Sequence, residues 1–191
     1  MGSVIPLKKE IDNSYLRLKN LVGGKLEEVS QRIKYKLASE INLIHKMTDY
    51  HVKSGGKRIR PLLTLVSAKL CGYKDGNRDV NLAACIELIH NATLLHDDVI
   101  DSSNYRRGVK TANSVWGNQS SILVGDYLFS RCFEMMVEDG SQEILKLLSS
   151  TSSRIAQGEV LQLEYKGEID LLEETYFNII NMKTAALFAA A

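Results

Sequence analysis

The chain has 191 residues, of which 45% are hydrophobic and 25% are charged, and its formal net charge is +1. This length and composition favour a single globular domain over residues 1–191. A net charge so close to zero gives no support for binding to nucleic acid or to an anionic membrane surface.

Helices are predicted along the whole chain, because apolar residues recur at helical rather than alternating spacing. No proline follows Pro61, so every later residue keeps the backbone N–H that a helix needs. The predicted helices cover residues 5–21, 25–39, 40–53, 59–71, 79–101, 118–138, 141–165 and 170–190. The breaks between them are predicted at Gly23-Gly24, Gly55-Gly56, residues 72–77 and Asp139-Gly140. Asp170 and Glu173 are expected to cap the last helix.

The sequence carries no signal for secretion or membrane insertion. Its first residues lack the apolar segment of a signal peptide, and no run approaches the roughly 18 apolar residues of a membrane span. The three cysteines, Cys71, Cys85 and Cys132, form no C-x-x-C pair. We therefore expect them to be reduced core residues of a cytoplasmic protein.

Three aspartates stand in the apolar stretch LLHDDVID at residues 94–101. On a helix, Asp97 and Asp101 point the same way and stand about 6 Å apart along the axis. Two carboxylates in this arrangement suit Mg²⁺, which completes its coordination with water and phosphate oxygens. Asp98 lies about 100° away from this face and is expected to brace the site. A string this short could also be a solvated helix end.

Two basic clusters accompany these acids. In the first, SGGKRIRP at residues 54–61, the glycines allow a tight turn and Pro61 suits the first turn of a helix. The N-terminus of that helix attracts anions, and Lys57 and Arg60 add full charges. The alternative interpretation is an exposed basic turn.

The second basic cluster, Arg106-Arg107, follows the acidic helix on a loop. Guanidinium groups bind phosphate oxygens through two hydrogen bonds and stay charged. One of the two arginines could instead form a structural salt bridge. Acids for a metal, together with two basic clusters for anions, indicate a site for two phosphorylated ligands.

A stripe of side chains leads away from the acids along one helix face. Ile86, His90, Thr93, Asp97 and Asp101 fall within about 60° of arc. The stripe either lines a cavity with the metal site at its mouth, or its lower part is simply core. A lone histidine in such a stripe is more often a core residue than a ligand.

These motifs together resemble those of the trans-isoprenyl diphosphate synthases, the polyprenyl synthetase family. The matching segments are GGKRIRPLL, LLHDDVID, RRG, GDYLFSR and the Lys183-Thr184 pair, in the family's order. They are most similar to the long-chain, octaprenyl type. The resemblance implies an all-α helical bundle of the isoprenoid synthase type, of which this chain would be the N-terminal part. It also implies a cytoplasmic homodimer.

The resemblance implies head-to-tail condensation of isopentenyl diphosphate with an allylic diphosphate, with farnesyl diphosphate the expected primer. Mg²⁺ would be the cofactor, held by Asp97 and Asp101. Isopentenyl diphosphate would be bound by Lys57, Arg60, His90 and Arg107. The allylic diphosphate would be bound by Arg106, Lys183 and Thr184, with Lys183 assisting its departure. Arg58 is given no role.

For some residues, the sequence by itself gives less support for the role that the resemblance implies. Lys183 on an apolar helix could equally extend outward to solvent. Asp126 and Gln162 also match family patterns, and we expect them to pack between helices or support the site.

Product length is expected to depend on Ala92 and Thr93. In the family, bulky aromatic residues five and four positions before the first aspartate stop chain growth early. Both residues here are small. A product longer than a farnesyl chain is therefore expected.

The sequence departs from the family in lacking a second aspartate-rich motif after Lys183-Thr184. Family members are longer, so we expect this chain to be a fragment with little or no prenyl transfer. Two alternatives stay open. One is a class I terpene synthase or cyclase, which the GGKRIRP segment disfavours because a cyclase binds no second diphosphate. The other is a non-catalytic or regulatory partner of a complete synthase.

Overall fold

A computed structural model describes residues 7–53 and 56–191, with side chains described from Ser14 onward except at Lys53. The first four helices are α1 (Leu7–Val22), α2 (Lys25–Lys36), α3 (Asn42–Lys53) and α4 (Ile59–Leu70). After α5 (Arg78–Ile100) come a short hairpin of β1 (Tyr105–Arg106) and β2 (Val109–Lys110), and then α6 (Ala112–Trp116). The rest comprises α7 (Asn118–Asp139), α8 (Gln142–Glu164), α9 (Glu173–Ile180), a π-helical turn (Asn181–Ala185) and α10 (Ala186–Ala190).

The predicted all-α class is confirmed, and most predicted helices match observed ones to within three residues. Gly55 and the start of the first predicted helix lie outside the described residues. The last prediction was wrong in detail, because the helix begins at Glu173 and contains a π-helical turn. Leu172 occupies the N-cap position without a side-chain hydrogen bond, so the predicted Asp170–Glu173 cap is also wrong.

The β hairpin and α6 were not predicted. Tyr105 and Arg106 pair antiparallel with Lys110 and Val109. Arg107 and Gly108 form the connection with φ of 53° and 80°. Positive φ at both central residues is typical of the type I′ turn that favours a two-residue hairpin.

Helix α5 is the centre of the fold and packs mainly against α7, α4 and α2. It is apolar around most of its circumference, as expected of a helix covered on several sides. Its buried apolar residues are Val80, Ala83, Ala84, Cys85, Ile86, Leu88, Ile89, Ala92 and Leu95. Ile86, at one end of the predicted stripe, is thus a core residue. Asp97 and Asp101, at the other end of the stripe, lie at the C-terminal end of α5. The core therefore fixes the orientation of every polar side chain on α5.

Helix α7 approaches the acidic end of α5 closely at Gly125. A Cβ atom on Gly125 would lie 2.3 Å from Nε2 of His96, so only glycine leaves room for this imidazole. The ring lies 3.1 Å from the Ile122 carbonyl oxygen and 3.3 Å from the Asp126 carboxylate. Asp126 is exposed, and its carboxylate links α7 to α5 through His96.

The cysteines differ from the expectation at one position. Cys85 on α5 and Cys132 on α7 are buried, whereas Cys71 is exposed. Cys71 caps the C-terminus of α4, where the chain leaves the core, so its assignment as a core residue was wrong.

Across residues 7–53 and 56–191, no helix combines the length and apolar character needed to cross a membrane.

Candidate active site

The two predicted metal ligands lie at the C-terminal end of α5. Asp101 is the C-cap residue, exposed, and its backbone N–H donates to the Asp97 carbonyl oxygen one turn earlier at 2.8 Å. The half-buried Asp97 thus stands directly below it. In the described part of the chain, no cluster of three or more His, Cys, Asp or Glu residues could hold a metal ion. Any cation here would rest on this carboxylate pair.

Electrostatics indicates excess negative charge around Asp97. The pKa of Asp97 is raised to about 7, mainly by burial and also by the charges of Glu159 and Asp101, against the opposing effect of Lys183 and Arg106. Neighbouring carboxylates disfavour the charged form of one another. A divalent cation would relieve this repulsion, and carboxylate oxygens are suitable donors for Mg²⁺. The residues present therefore fit the implied metal.

Asp98 anchors Arg106 rather than facing the metal position. Its buried carboxylate accepts hydrogen bonds from Nε of Arg106 at 3.1 and 3.2 Å and from Nη2 at 2.8 Å. Its backbone carbonyl accepts from Asn113 Nδ2 at 3.2 Å. Asp98 thus holds the hairpin against α5, consistent with the bracing role predicted for it. Arg106 makes the salt bridge considered as an alternative, and it also lines the cavity described next.

The basic clusters converge on one cavity of about 490 Å³. Its cationic lining residues are Lys57, Arg58, Arg60, Arg106 and Arg107. His90 lines the same cavity from α5. All four residues expected to bind isopentenyl diphosphate therefore lie together, although they come from three separate segments.

Close approach of two loops brings Arg107 into this cavity. A Cβ atom on Gly56 would lie 2.6 Å from Nη1 of Arg107, so a larger residue would displace the guanidinium. Tyr50 on α3 donates a hydrogen bond to the Lys110 carbonyl oxygen at 2.7 Å, which ties α3 to the hairpin. Arg107 is thereby held over the N-terminus of α4.

The histidines of the cavity are neutral at physiological pH. The pKa of His90 is lowered to about 3, mainly by burial and also by the charge of Arg60. Burial also lowers the pKa of His51 to about 4, although the Asp98 carboxylate opposes the shift. His90 can therefore act as a neutral hydrogen-bond donor or acceptor among the arginines.

Four of the charged, histidine and aromatic residues that line this cavity were given no role from the sequence. Arg58 was set aside although it lies in the basic segment, and His51, Glu87 and Phe188 were not considered. Glu87 carried a signal, since it is an acid in an apolar helix one turn before His90. Phe188 carried none, because its position over Arg60, 4.1 Å from ring centroid to Cζ, depends on the packing of α10.

Lys183 lies on the π-helical turn and points toward Glu159 on α8. Its Nζ lies 2.8 Å from Glu159 Oε2, so extension to solvent, the alternative for this lysine, is not observed. Gly158 allows the approach, because a Cβ atom there would lie 2.8 Å from the Lys183 backbone nitrogen. Short π-helical turns occur frequently at functional sites. Lys183 is close enough to Asp97 to influence its pKa, whereas Thr184 is exposed.

The expected product-length residues occupy different environments. Ala92 has no exposed surface and belongs to the core. Thr93 is half-buried, and its hydroxyl donates to the His90 carbonyl oxygen at 2.8 Å. Gln162 on α8 is also half-buried. Of the two product-length residues, Thr93 lies on the Asp97 face of α5.

Comparison with known proteins agrees with these features. A family model described as polyprenyl synthetase matches residues 41–191. The chain is 45% identical over 175 residues to the octaprenyl diphosphate synthase of Escherichia coli K12, covering 92% of this chain and 54% of that protein. A polyprenyl synthase from Caulobacter crescentus CB15, complexed with calcium and isoprenyl diphosphate, matches with a TM-score of 0.89 and 44% identity, covering 92% and 53%. A decaprenyl diphosphate synthase from Rhodobacter capsulatus matches with a TM-score of 0.87 and 44% identity, covering 92% and 54%.

The chain spans about half the length of the curated relatives it matches. The expected isoprenoid synthase fold is confirmed over that span. With the family model matching most of the chain, the protein belongs to the polyprenyl synthetase family.

Proposed function

We propose that this chain carries the substrate-binding end of a trans-prenyltransferase that condenses isopentenyl diphosphate with an allylic diphosphate. One observation carries the proposal. A cavity with five cationic side chains lies beside a separate pair of carboxylates, Asp97 and Asp101. One diphosphate can bind through arginine and lysine alone, while the other binds through a cation held by the carboxylates.

Isopentenyl diphosphate would occupy the basic cavity. Lys57, Arg60 and Arg107 would bind its diphosphate, with the guanidinium groups donating paired hydrogen bonds to phosphate oxygens. His90 would meet the ligand as a neutral imidazole, because burial lowers its pKa to about 3.

The allylic diphosphate, with farnesyl diphosphate as the proposed primer, would bind at the acidic end of α5. Asp97 and Asp101 would hold Mg²⁺, which when bound supplies positive charge to the leaving diphosphate. Arg106, Lys183 and Thr184 would contact the same group. Lys183 is held at this end of the site by Glu159 at 2.8 Å. Cationic groups positioned before the reaction stabilise developing negative charge without reorganising.

The reaction would proceed in three steps, which are ionisation, condensation and loss of a proton. The allylic C–O bond breaks, with its electron pair leaving on the diphosphate. The double bond of isopentenyl diphosphate then attacks the allylic cation and forms the new C–C bond. A proton is lost to the released pyrophosphate, which restores a double bond. Exclusion of water matters, since water would capture the cation.

A long-chain product is proposed on two grounds. Ala92 and Thr93 are small, so no bulky side chain at these positions stops a growing tail. Relatives described as octaprenyl and decaprenyl diphosphate synthases support the same conclusion. In a synthase containing this sequence, Thr93→Phe or Ala92→Phe should shorten the products seen by mass spectrometry. Unchanged product length in both variants would contradict this steric proposal.

The protein is also proposed to act as a homodimer. Large apolar side chains remain exposed on α7, among them Phe133 at 48% and Val137 at 67%. Contiguous exposed apolar surface of this kind is typical of an interface. Sedimentation equilibrium should give twice the chain mass, and a monomer at micromolar concentration would contradict it.

Calorimetry of the 191-residue chain tests the proposed function directly. Isopentenyl diphosphate should bind without metal, and Arg107→Met should weaken that binding at least tenfold, about 1.4 kcal/mol. Farnesyl diphosphate should bind only with Mg²⁺, and Asp101→Asn should abolish this Mg²⁺-dependent binding. Arg17→Met is the matched control for Arg107→Met, and Asp75→Asn is the matched control for Asp101→Asn. Both controls alter exposed residues that lie far in sequence from the residues they match. A single shared site for both ligands would contradict prenyl transfer and favour a cyclase.

A further inference from the structure

Glu87 is an acid on the wall of an otherwise cationic cavity. It belongs to α5, is only 8% exposed and lines the cavity together with the arginines. A carboxylate here repels a bound diphosphate and costs free energy to bury. The mechanism above gives Glu87 no part. Its presence therefore requires a structural or positioning role within the site.

Arg58 is the nearest cationic partner of Glu87. Its Nη1 lies 3.5 Å from Glu87 Oε1, and the same nitrogen is buried without a hydrogen-bond partner. Arg58 adopts a left-handed backbone conformation, with φ of 51° and ψ of 42°, immediately before α4. Non-glycine residues rarely adopt this conformation, which costs on the order of 1 kcal/mol. Attraction to Glu87 offsets that strain and draws the guanidinium to the cavity wall.

Arg60 is held from two sides. Its guanidinium stacks on the ring of Phe188, with Cζ 4.1 Å from the ring centroid. Glu87 attracts it electrostatically and opposes the effect of burial, which lowers the pKa of Arg60. Nε of Arg60 is buried and also has no hydrogen-bond partner. Buried N–H donors are nearly always satisfied, so both arginines present donors suited to an anion in the cavity.

Taken together, Glu87 pairs with Arg58 and attracts Arg60, and each of these two guanidinium groups retains an unsatisfied buried donor. We propose that Glu87 is a positioning residue that orients Arg58 and Arg60 toward a bound diphosphate, and that Arg58 is a further ligand of that diphosphate. The inference rests on the proposed function and adds two residues to its isopentenyl diphosphate site. Glu87 acts through the arginines and does not touch the ligand.

Inorganic pyrophosphate, titrated without metal into the 191-residue chain, is the probe. Glu87→Gln should weaken its binding about tenfold, because a loosened charge-assisted hydrogen bond is worth about 1.5 kcal/mol. Arg58→Gln should weaken binding by at least as much. The double variant should lose less affinity than the sum of the two single losses, since Glu87 acts partly through Arg58 and partly through Arg60. Glu87→Gln alone leaves the charge of Arg58 buried without its partner, which destabilises the folded chain. The double variant removes both charges and so tests the proposal without that cost.

Asp79→Asn is the matched control. Asp79 is a buried carboxylate on the same helix, paired with Lys25 and remote from the basic cavity. Its variant should lose stability in urea without losing pyrophosphate affinity. Unchanged or tighter binding by Glu87→Gln would overturn the inference, because Glu87 would then be only a countercharge. Failure of the unaltered chain to bind pyrophosphate and isopentenyl diphosphate would instead overturn the proposed function.

Discussion

Lys183 Nζ lies 2.8 Å from Glu159 Oε2, and the π-helical turn that carries the lysine packs directly against Gly158. Both side chains are largely buried, at 21% and 15% exposure, and Glu159 Oε1 is buried without a hydrogen-bond partner. The pair thus joins the π-helical turn to α8, and both charges influence the pKa of Asp97 on α5. Its loss would leave Glu159 and Asp97 without the nearby cation.

Removal of this lysine alone should destabilise the protein. We expect Lys183→Met to lower the free energy of unfolding by about 3 kcal/mol, because a buried carboxylate loses its partner. The double variant Lys183→Met with Glu159→Gln should recover part of that loss. Urea denaturation measures both values. Additive losses in the double variant would mean that the two side chains are not coupled.

Gly125 should not tolerate a side chain. Gly125→Ala places a Cβ atom 2.3 Å from His96 Nε2, so we expect destabilisation by about 1–3 kcal/mol despite the helix propensity of alanine. Gly24→Ala is the matched control, since nothing lies within 4 Å of its Cβ position. Adding His96→Ala to Gly125→Ala should restore stability. Thermal unfolding of the four proteins checks this, and equal melting temperatures for the two glycine variants would contradict it.

Stability should fall below about pH 6.5. The pKa of His90 is about 3 and that of His51 about 4 in the folded chain, against 6.5 for an ordinary histidine. The two histidines therefore bind more protons in the unfolded chain between these values, so their contribution to stability is complete above pH 6.5 and is lost as pH decreases. At pH 5 the loss is about 2 kcal/mol for each histidine.

Other charges around these histidines shape the pH profile. Arg60, Arg106 and Arg107 oppose protonation of His90. Burial raises the pKa of Glu87, and the pKa of Asp97 is raised to about 7, so protonation of these two carboxyl groups favours the folded state in acid and offsets part of the loss. His90→Gln should flatten the dependence measured by urea denaturation between pH 5 and 7. An equally steep dependence in this variant would contradict the role of His90.

Ala92 should resist enlargement more than Thr93. Ala92 has no exposed surface, so Ala92→Phe should lower the free energy of unfolding by about 3 kcal/mol through overpacking. Thr93 is half-buried, and Thr93→Phe should cost less. Chemical denaturation of both variants measures the difference. A larger loss for Thr93→Phe would contradict this prediction, because side chains would then pack more tightly around Thr93 than around Ala92.

The 191-residue chain by itself should bind isopentenyl diphosphate yet transfer little or no prenyl group. The described residues provide an aligned carboxylate pair but no cluster of three metal-binding side chains, and the match covers only 54% of the Escherichia coli relative. Incubation with labelled isopentenyl diphosphate, farnesyl diphosphate and Mg²⁺ measures transfer. Robust turnover would contradict this expectation.

Local patterns predicted much of the fold and part of the site. The helices follow from 3.6-residue periodicity, which acts within one segment. The alignment of Asp97 with Asp101 follows from one turn of α5. By contrast, the π-helical turn and α6 left no readable signal, and the type I′ turn at Arg107-Gly108 was overlooked despite its glycine.

The sequence by itself determined the all-α class, the carboxylate pair and the identity of the main cationic groups, because these depend on spacing along one helix or on residue type. Only the tertiary structure decided which charges meet. It placed Arg106 on Asp98, Lys183 on Glu159, and Glu87 beside Arg58 and within electrostatic reach of Arg60. Each pairing joins two different elements of the fold, and the packing of helices around α5 sets the distances between them.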